Sequence, residues 1–179
     1  MRKILIVVDM QNDFISGSLG SPKAQAIVPN VVEKVKNWEG EILFTRDTHY
    51  EDYLKTFEGI MLPVEHCIKG TYGWQIVDCL WPYIEHSDQI IDKITFGFKN
   101  WERYIDFVND DPYFDEEIEF ELCGLCTDIC VISNALALRM FYPDAKITVD
   151  ASCCAGVTPE KHAAALEVMK SCQIDVINE

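Results

Sequence analysis

Cys130 closes the run Cys123-Gly124-Leu125-Cys126-Thr127-Asp128-Ile129-Cys130, where an apolar stretch ends in a glycine turn and a helical pattern opens. Ile118 to Leu122 reads as a strand, and Ile129, Ile132, Leu136 and Met140 recur at helical spacings. Thr127 has the side chain of an N-cap, which puts Cys130 in the first helical turn. There the helix dipole lowers a thiol pKa, and a nucleophilic thiolate can form near neutral pH. A free cysteine is equally a small packing residue, so position alone leaves both readings open.

Two further residues could serve such a thiol. Ile4-Leu5-Ile6-Val7-Val8 is a continuous apolar run, the pattern of a parallel strand buried on both faces, and it ends at Asp9. A carboxylate there stands at the carboxyl edge of a central strand, where open α/β sheets hold their ligands. Asp9 could instead cap a turn, as could Asn12 and Asp13. Lys93 follows another short apolar run, Gln89-Ile90-Ile91. A lone lysine there is ordinarily a solvated surface charge.

A second constellation has metal-ligand character. Thr45-Arg46-Asp47-Thr48-His49 places a carboxylate and an imidazole two residues apart just past a strand, and Glu58 and His66 follow. Mixed carboxylate and imidazole donors suit Zn²⁺, Mn²⁺ or Fe²⁺, and the Irving–Williams order favours zinc among these. One Asp-x-His alone would be read as loop polars. Two of the chain's 4 histidines fall in this segment, however, beside well-placed acids.

The elements that must position these groups alternate along the chain. Strands are predicted at Ile4–Val8, Glu41–Thr45, Gln89–Ile91, Ile118–Leu122, Lys146–Val149 and Ile174–Ile177. Helices are predicted at Lys23–Trp38, Trp74–Ile84, Trp101–Asn109, Asp128–Phe141 and Pro159–Ser171, with Thr158 capping the last. Such alternation implies an α/β fold with a parallel sheet and helices on both faces. The 179 residues, 49% hydrophobic, suit a single domain, 1–179, with no linker or repeat dividing it.

The formal net charge of −15 argues against nucleic acid and anionic membrane surfaces as partners, since both need clustered Lys and Arg. It also favours a small neutral substrate over an anion. Much of the acidity lies between Asp106 and Glu121 and reads as a solvated loop. No apolar run approaches the length of a membrane span. The opening Met1–Val8 is too short an apolar run for a secretory signal, so the 8 cysteines are expected to be reduced thiols of a cytoplasmic protein. Cys153 and Cys154 are expected to pack, Cys79 and Cys172 to be core, and His86 and His162 to lie at the surface.

Taken together, Val8-Asp9-Met10-Gln11-Asn12-Asp13-Phe14, Lys93 and Gly124-Leu125-Cys126-Thr127-Asp128-Ile129-Cys130-Val131 resemble the isochorismatase-like cysteine hydrolases, within them the nicotinamidase branch. The resemblance covers nearly the whole chain. It implies a three-layer α/β/α, Rossmann-like fold with a six-stranded, mainly parallel sheet. It implies Cys130 as nucleophile on the amide of a small neutral substrate, Asp9 as acid and base, and Lys93 as charge stabiliser. The backbone N–H groups of Cys126 and Cys130 would form the oxyanion hole, beside a cis Leu125–Cys126 bond. It further implies a divalent transition metal, zinc before manganese or iron, on Asp47, His49, His66 and, by analogy with some members, Glu58. The metal would position the substrate ring. Cys67 and Gly70-Thr71 after His66 also fit the branch.

The chain departs from the branch in lacking a histidine between Tyr50 and Phe57 and in having Leu62 where an aromatic often precedes Pro-x-His. Substrate contacts are therefore expected from Phe14, Tyr72, Trp74 and Leu125. A homo-oligomer is expected. Within the superfamily, a carbamoyl or biuret amidase and an isochorismatase are the alternatives. From other classes, Cys123-x-x-Cys126 has the look of a thiol–disulfide oxidoreductase motif; a zinc–thiolate knot and a non-catalytic binding module complete the set. None of these three accounts for Asp9, Lys93 and the Asp/His cluster together.

Overall fold

The computed structural model describes residues 1–107 and 117–179. Six parallel strands, β1 (Arg2–Val8), β2 (Glu41–Asp47), β3 (Ile90–Lys93), β4 (Ile118–Leu125), β5 (Lys146–Ala155) and β6 (Asp175–Ile177), form one sheet in the order β3-β2-β1-β4-β5-β6. The helices are α1 (Asn12–Ile15), α2 (Pro22–Lys36), α3 (Phe57–Met61), α4 (Trp101–Phe107), α5 (Ile132–Phe141) and α6 (Pro159–Ser171). They cover both faces: α2 packs on β4 and β5 from one side, while α5 packs on β5 beside α4 and α6.

Local chemistry explains the main elements. β1 is central, and Ile4 to Val8 are fully buried, as a strand covered on both faces requires. Ser21 caps α2 by accepting the Ala24 N–H at 3.0 Å, and Pro22 fills the first turn. α2 then buries Ala24, Ile27, Val31 and Val35 at helical spacing. Thr158 caps α6 as expected, accepting the Lys161 N–H at 3.2 Å. Gly124 has φ +116°, and a Cβ there would stand 2.1 Å from the Val8 carbonyl oxygen. Only glycine lets β4 pass β1 so closely.

The structure departs from the predicted elements in places. Trp74–Ile84 is not an α-helix: a turn leads into a 3₁₀ helix over Asp78–Tyr83. Ile76 bridges antiparallel to Gln11, and the Val77 N–H donates to the Met10 carbonyl at 2.9 Å. Those tertiary bonds, with Pro82 lacking a donor, outcompete the helix. β5 runs on to Ala155, so Cys153 and Cys154 are buried strand residues, in accord with packing. Cys79 is exposed rather than core. The acidic positions Asp110, Asp111, Asp115 and Glu116, and the end of the helix predicted to Asn109, lie outside the described residues. Among the described residues no helix is long and apolar enough to cross a membrane.

Candidate active site

The chain runs outward from β1 through β2 to β3 on one side, then resumes at β4 on the other side of β1. Such a switch point opens a crevice at the carboxyl ends of the strands. Asp9 follows β1, Asp47 ends β2, Lys93 ends β3 and β4 delivers the turn to Cys130. Residues scattered over more than a hundred positions therefore meet at one edge.

Lys93 is the hub. Its Nζ lies 2.6 Å from Asp9 Oδ2, 3.7 Å from Asp47 Oδ1 and 3.5 Å from Cys130 Sγ. Asp9, Lys93 and Cys130 are all buried. The Asp9 main chain is left-handed, with φ 49°. Thr45 holds it there: Thr45 Oγ1 donates to Asp9 Oδ1 at 2.7 Å, and the Asp9 N–H reaches the Thr45 carbonyl at 3.2 Å.

Burial sets the resting protonation. It pushes the Asp9 carboxyl up, helped by the Asp47 charge and opposed by Lys93. Burial works against the Lys93 ammonium, but the charges of Asp9 and Asp47 outweigh it and keep Lys93 cationic. Burial also lifts the Cys130 thiol well above its ordinary value, with Asp9 adding to the rise and Lys93 countering it. The expectation of a depressed thiol pKa is corrected here, because desolvation exceeds the helix-end effect. At rest, burial therefore favours the neutral thiol over the thiolate.

The turn that presents Cys130 is a π-turn over Thr127–Val131 leading directly into α5. Cys126, not Thr127, occupies the N-cap position. It follows the cis Leu125–Cys126 bond, and its carbonyl accepts the N–H groups of Ile129 at 3.0 Å and Val131 at 3.1 Å. Thr127 is fully buried and pairs its hydroxyl with His162 Nδ1 at 2.8 Å. His162 is therefore half-buried and tied to the turn that carries Cys130 rather than a surface residue.

Asp47, His49, Glu58 and His66 converge with one ligand atom each, all within 4.8 Å of one another. His49 Nε2 lies 3.0 Å from Asp47 Oδ2 and 3.6 Å from Glu58 Oε1; the matching His66 distances are 3.6 and 3.8 Å. Donors bound at about 2.1 Å to one ion stand roughly 3.0–3.4 Å apart, so the cluster fits a divalent metal with little movement. His66 Nδ1 donates to the Val64 carbonyl at 2.8 Å, which leaves Nε2 free to ligate. Burial works against the Asp47 carboxylate, but the hydrogen bond from His49 and the Lys93 charge outweigh it and hold the carboxyl below the usual range.

Several residues support the site in ways that the sequence did not assign to them. Tyr53 is fully buried, with its ring 4.6 Å from His49 and 5.0 Å from His66, and it donates to the Leu62 carbonyl at 2.9 Å. Gln11 grips the Asp47 main chain from both sides, accepting its N–H at 2.7 Å and donating to its carbonyl at 2.9 Å. Asp13 accepts the Cys67 N–H at 2.8 Å, fastening the turn after His66.

The expected substrate contacts divide. Phe14 lies with its ring 5.6 Å from that of His66, and Leu125 is buried at the end of β4. Trp74 is engaged elsewhere: its N–H donates to Thr48 Oγ1 at 2.9 Å and the Arg46 guanidinium covers its ring at 3.6 Å. Tyr72 points its side chain to solvent, 69% exposed, while its carbonyl accepts from Asn12. Trp74 is thus bound into the scaffold, and Tyr72 faces solvent. Cys123 is fully buried within β4, and desolvation lifts its thiol well above the ordinary value.

Fold and site together are those of an amide hydrolase of the isochorismatase family, and the chain belongs to that family: the Isochorismatase domain matches residues 3–179. Among its relatives is the nicotinamidase of Saccharomyces cerevisiae, 27% identical over 99% of this chain and 100% of its own length. The crystal structure of nicotinamidase/pyrazinamidase PncA from Bacillus subtilis superposes with a TM-score of 0.80 at 28% identity, covering 99% of this chain and 100% of that one. The fold is also that of the Pyrococcus horikoshii pyrazinamidase in complex with zinc, with a TM-score of 0.79 at 24% identity over 100% of each chain.

Proposed function

We propose that this protein hydrolyses nicotinamide to nicotinate and ammonia through a Cys130 thioester. The carrying observation is Lys93 Nζ in contact with Asp9, Cys130 and the metal-site residue Asp47 at once. One cation thus joins a nucleophile–base pair to a neighbouring metal cluster. The nicotinamidase names of the yeast and Bacillus relatives support the same substrate.

Asp9 takes the thiol proton as Cys130 Sγ attacks the amide carbonyl carbon. The oxyanion falls to the backbone N–H groups of Cys126 and Cys130. Asp9 then passes its proton to the amide nitrogen, the C–N bond breaks, and ammonia leaves. Water adds to the thioester while Asp9 accepts its proton; the C–S bond breaks, Asp9 returns that proton to Cys130 Sγ, and nicotinate leaves. Lys93 keeps the alternating negative charge of Asp9 and Cys130 compensated throughout. Asp47, His49, His66 and Glu58 would hold a divalent metal, zinc by preference, which would supply a Lewis-acid position for the pyridine nitrogen. Phe14 lies beside His66 for the ring to pack against, and a neutral amide suits so acidic a chain.

Ammonia release from nicotinamide, pyrazinamide, biuret and N-carbamoyl amides, with elemental analysis of the same preparation, tests the reading. Turnover of the two ring amides with about one bound metal is expected. Preference for biuret or an N-carbamoyl amide would replace the substrate while leaving the nucleophile in place.

A further inference from the structure

We infer that Asn134 is a positioning residue for the nucleophile: one buried side chain that fixes the Cys130 turn against the segment following Lys93. The inference rests on the reading of Cys130 and Lys93 given above. Asn134 is fully buried, and all four of its hydrogen-bonding positions are filled. Nδ2 donates to the Cys130 carbonyl at 2.8 Å and to the Phe96 carbonyl at 3.3 Å. Oδ1 accepts from the Phe98 N–H at 2.8 Å and from Trp101 Nε1 at 3.0 Å.

These partners belong to two segments distant in sequence. One is the turn and helix that carry Cys130. The other leaves β3 at Lys93 and reaches α4 through Phe96, Phe98 and Trp101. The 3.5 Å contact between Lys93 Nζ and Cys130 Sγ depends on how these two segments sit together. Gly97 shows how closely they approach, since a Cβ there would lie 3.0 Å from the Ser133 carbonyl oxygen.

An apolar residue would fill the same space without the desolvation cost of an amide. What only the amide supplies is a direct link from the nucleophile's own carbonyl to the main chain three residues beyond Lys93. If that link is cut and Lys93 retreats by roughly 1.5 Å, the thiolate population falls about tenfold at an effective dielectric near 20.

The test compares Asn134→Ala, Asn134→Thr and Trp101→Phe. A threonine can still bond the carbonyl four residues back but cannot hold Phe96 or Phe98. The Trp101 variant removes one donor to Asn134 and keeps both amide donations. Three readouts are taken: the rate of Cys130 alkylation by iodoacetamide, resolved by peptide mass; kcat and KM for nicotinamide; and Tm. Both Asn134 variants should alkylate Cys130 about tenfold more slowly and lose kcat in proportion, with KM within about twofold. Trp101→Phe should lower Tm yet alkylate at the parent rate. Should Asn134→Ala fail to fold, Asn134→Thr decides. Alkylation and kcat that merely track Tm across all variants would reduce Asn134 to scaffold and overturn the inference. Alkylation needs no turnover, so a Cys130→Ala enzyme that still released ammonia would instead defeat the nucleophile reading.

Discussion

Replacing Lys93 with methionine keeps the length of the side chain and removes the one charge that joins the site. The ammonium stands 3.5 Å from Cys130 Sγ and 2.6 Å from Asp9 Oδ2. Unit charges at the first of these distances attract by about 5 kcal/mol at an effective dielectric near 20, more than three orders of magnitude in thiolate population before desolvation is counted. Turnover should fall at least about 10³-fold, and Cys130 alkylation should slow with it. Stability should change in a pH-dependent way. Without Lys93, burial and Asp47 raise the Asp9 carboxyl further, since Lys93 is what opposes them. A carboxyl whose folded pKa lies above its unfolded value favours the fold at low pH and loses that contribution as pH rises through the folded pKa. Relative to the parent, the variant should therefore be more stable at pH 5 than at pH 8, with a deficit at pH 8 of up to about 3–5 kcal/mol, the scale of a broken buried pair. Denaturant melts at the two pH values, ammonia release and iodoacetamide kinetics make the assay. A variant within tenfold of the parent in both rates would refute Lys93 as the cation that stabilises the thiolate.

Cys130→Ala should abolish turnover, whereas Cys123→Ala and Cys126→Ala keep much of it; equal loss in Cys123→Ala with measurable dithiol–disulfide cycling would favour redox chemistry. Asp9→Asn should lower kcat by roughly 10²–10⁴-fold with circular dichroism unchanged, and near-parental kcat would remove Asp9 as proton carrier. Chelation, or His66→Ala, should raise KM for nicotinamide at least about tenfold while Cys130 stays alkylatable; full turnover by protein shown metal-free by elemental analysis would contradict this. Away from the site, Lys34 lies 2.7 Å from Asp150 Oδ2. Burial works against the Asp150 carboxylate, yet its bonds to Lys34 and Ser152 hold it below its ordinary pKa. That contribution is present above the unfolded carboxylate pKa and lost as pH falls through the folded one, so Lys34→Met should destabilise at pH 7 and flatten the acid limb below about pH 4. An unchanged acid limb would count against it.

The parts of this molecule legible in the sequence are those written in local pattern. Strands buried on both faces leave continuous apolar runs, so Ile4–Val8 gave away β1 and with it the strand-end address of Asp9. Cys130 was marked by a strand, a glycine and a helical period in succession. Lys93 was weak alone and gained meaning from its place between the other two. What stayed hidden acts through space. Gln11, Tyr53, Asn134 and the Thr127–His162 pair are ordinary polar or aromatic residues until the fold brings their partners in from tens of positions away. The stretch after Trp74 misled because Trp74, Val77 and Leu80 mimic helical spacing, while its backbone is bonded to the Met10–Gln11 segment. The Cys130 thiol misled in the other direction. Its helix-end address is readable, but the depth of its burial is not, and burial decides its resting protonation.

A thioester on Cys130 would be shared between water and any second nucleophile that reaches it. Nicotinamide and methyl nicotinate share one acyl group and differ in leaving group. In the presence of hydroxylamine, a common Cys130 thioester requires the same ratio of hydroxamate to nicotinate from both, and neither product from Cys130→Ala. A ratio that changes with the leaving group, or hydrolysis with no hydroxamate at any hydroxylamine concentration, would contradict it.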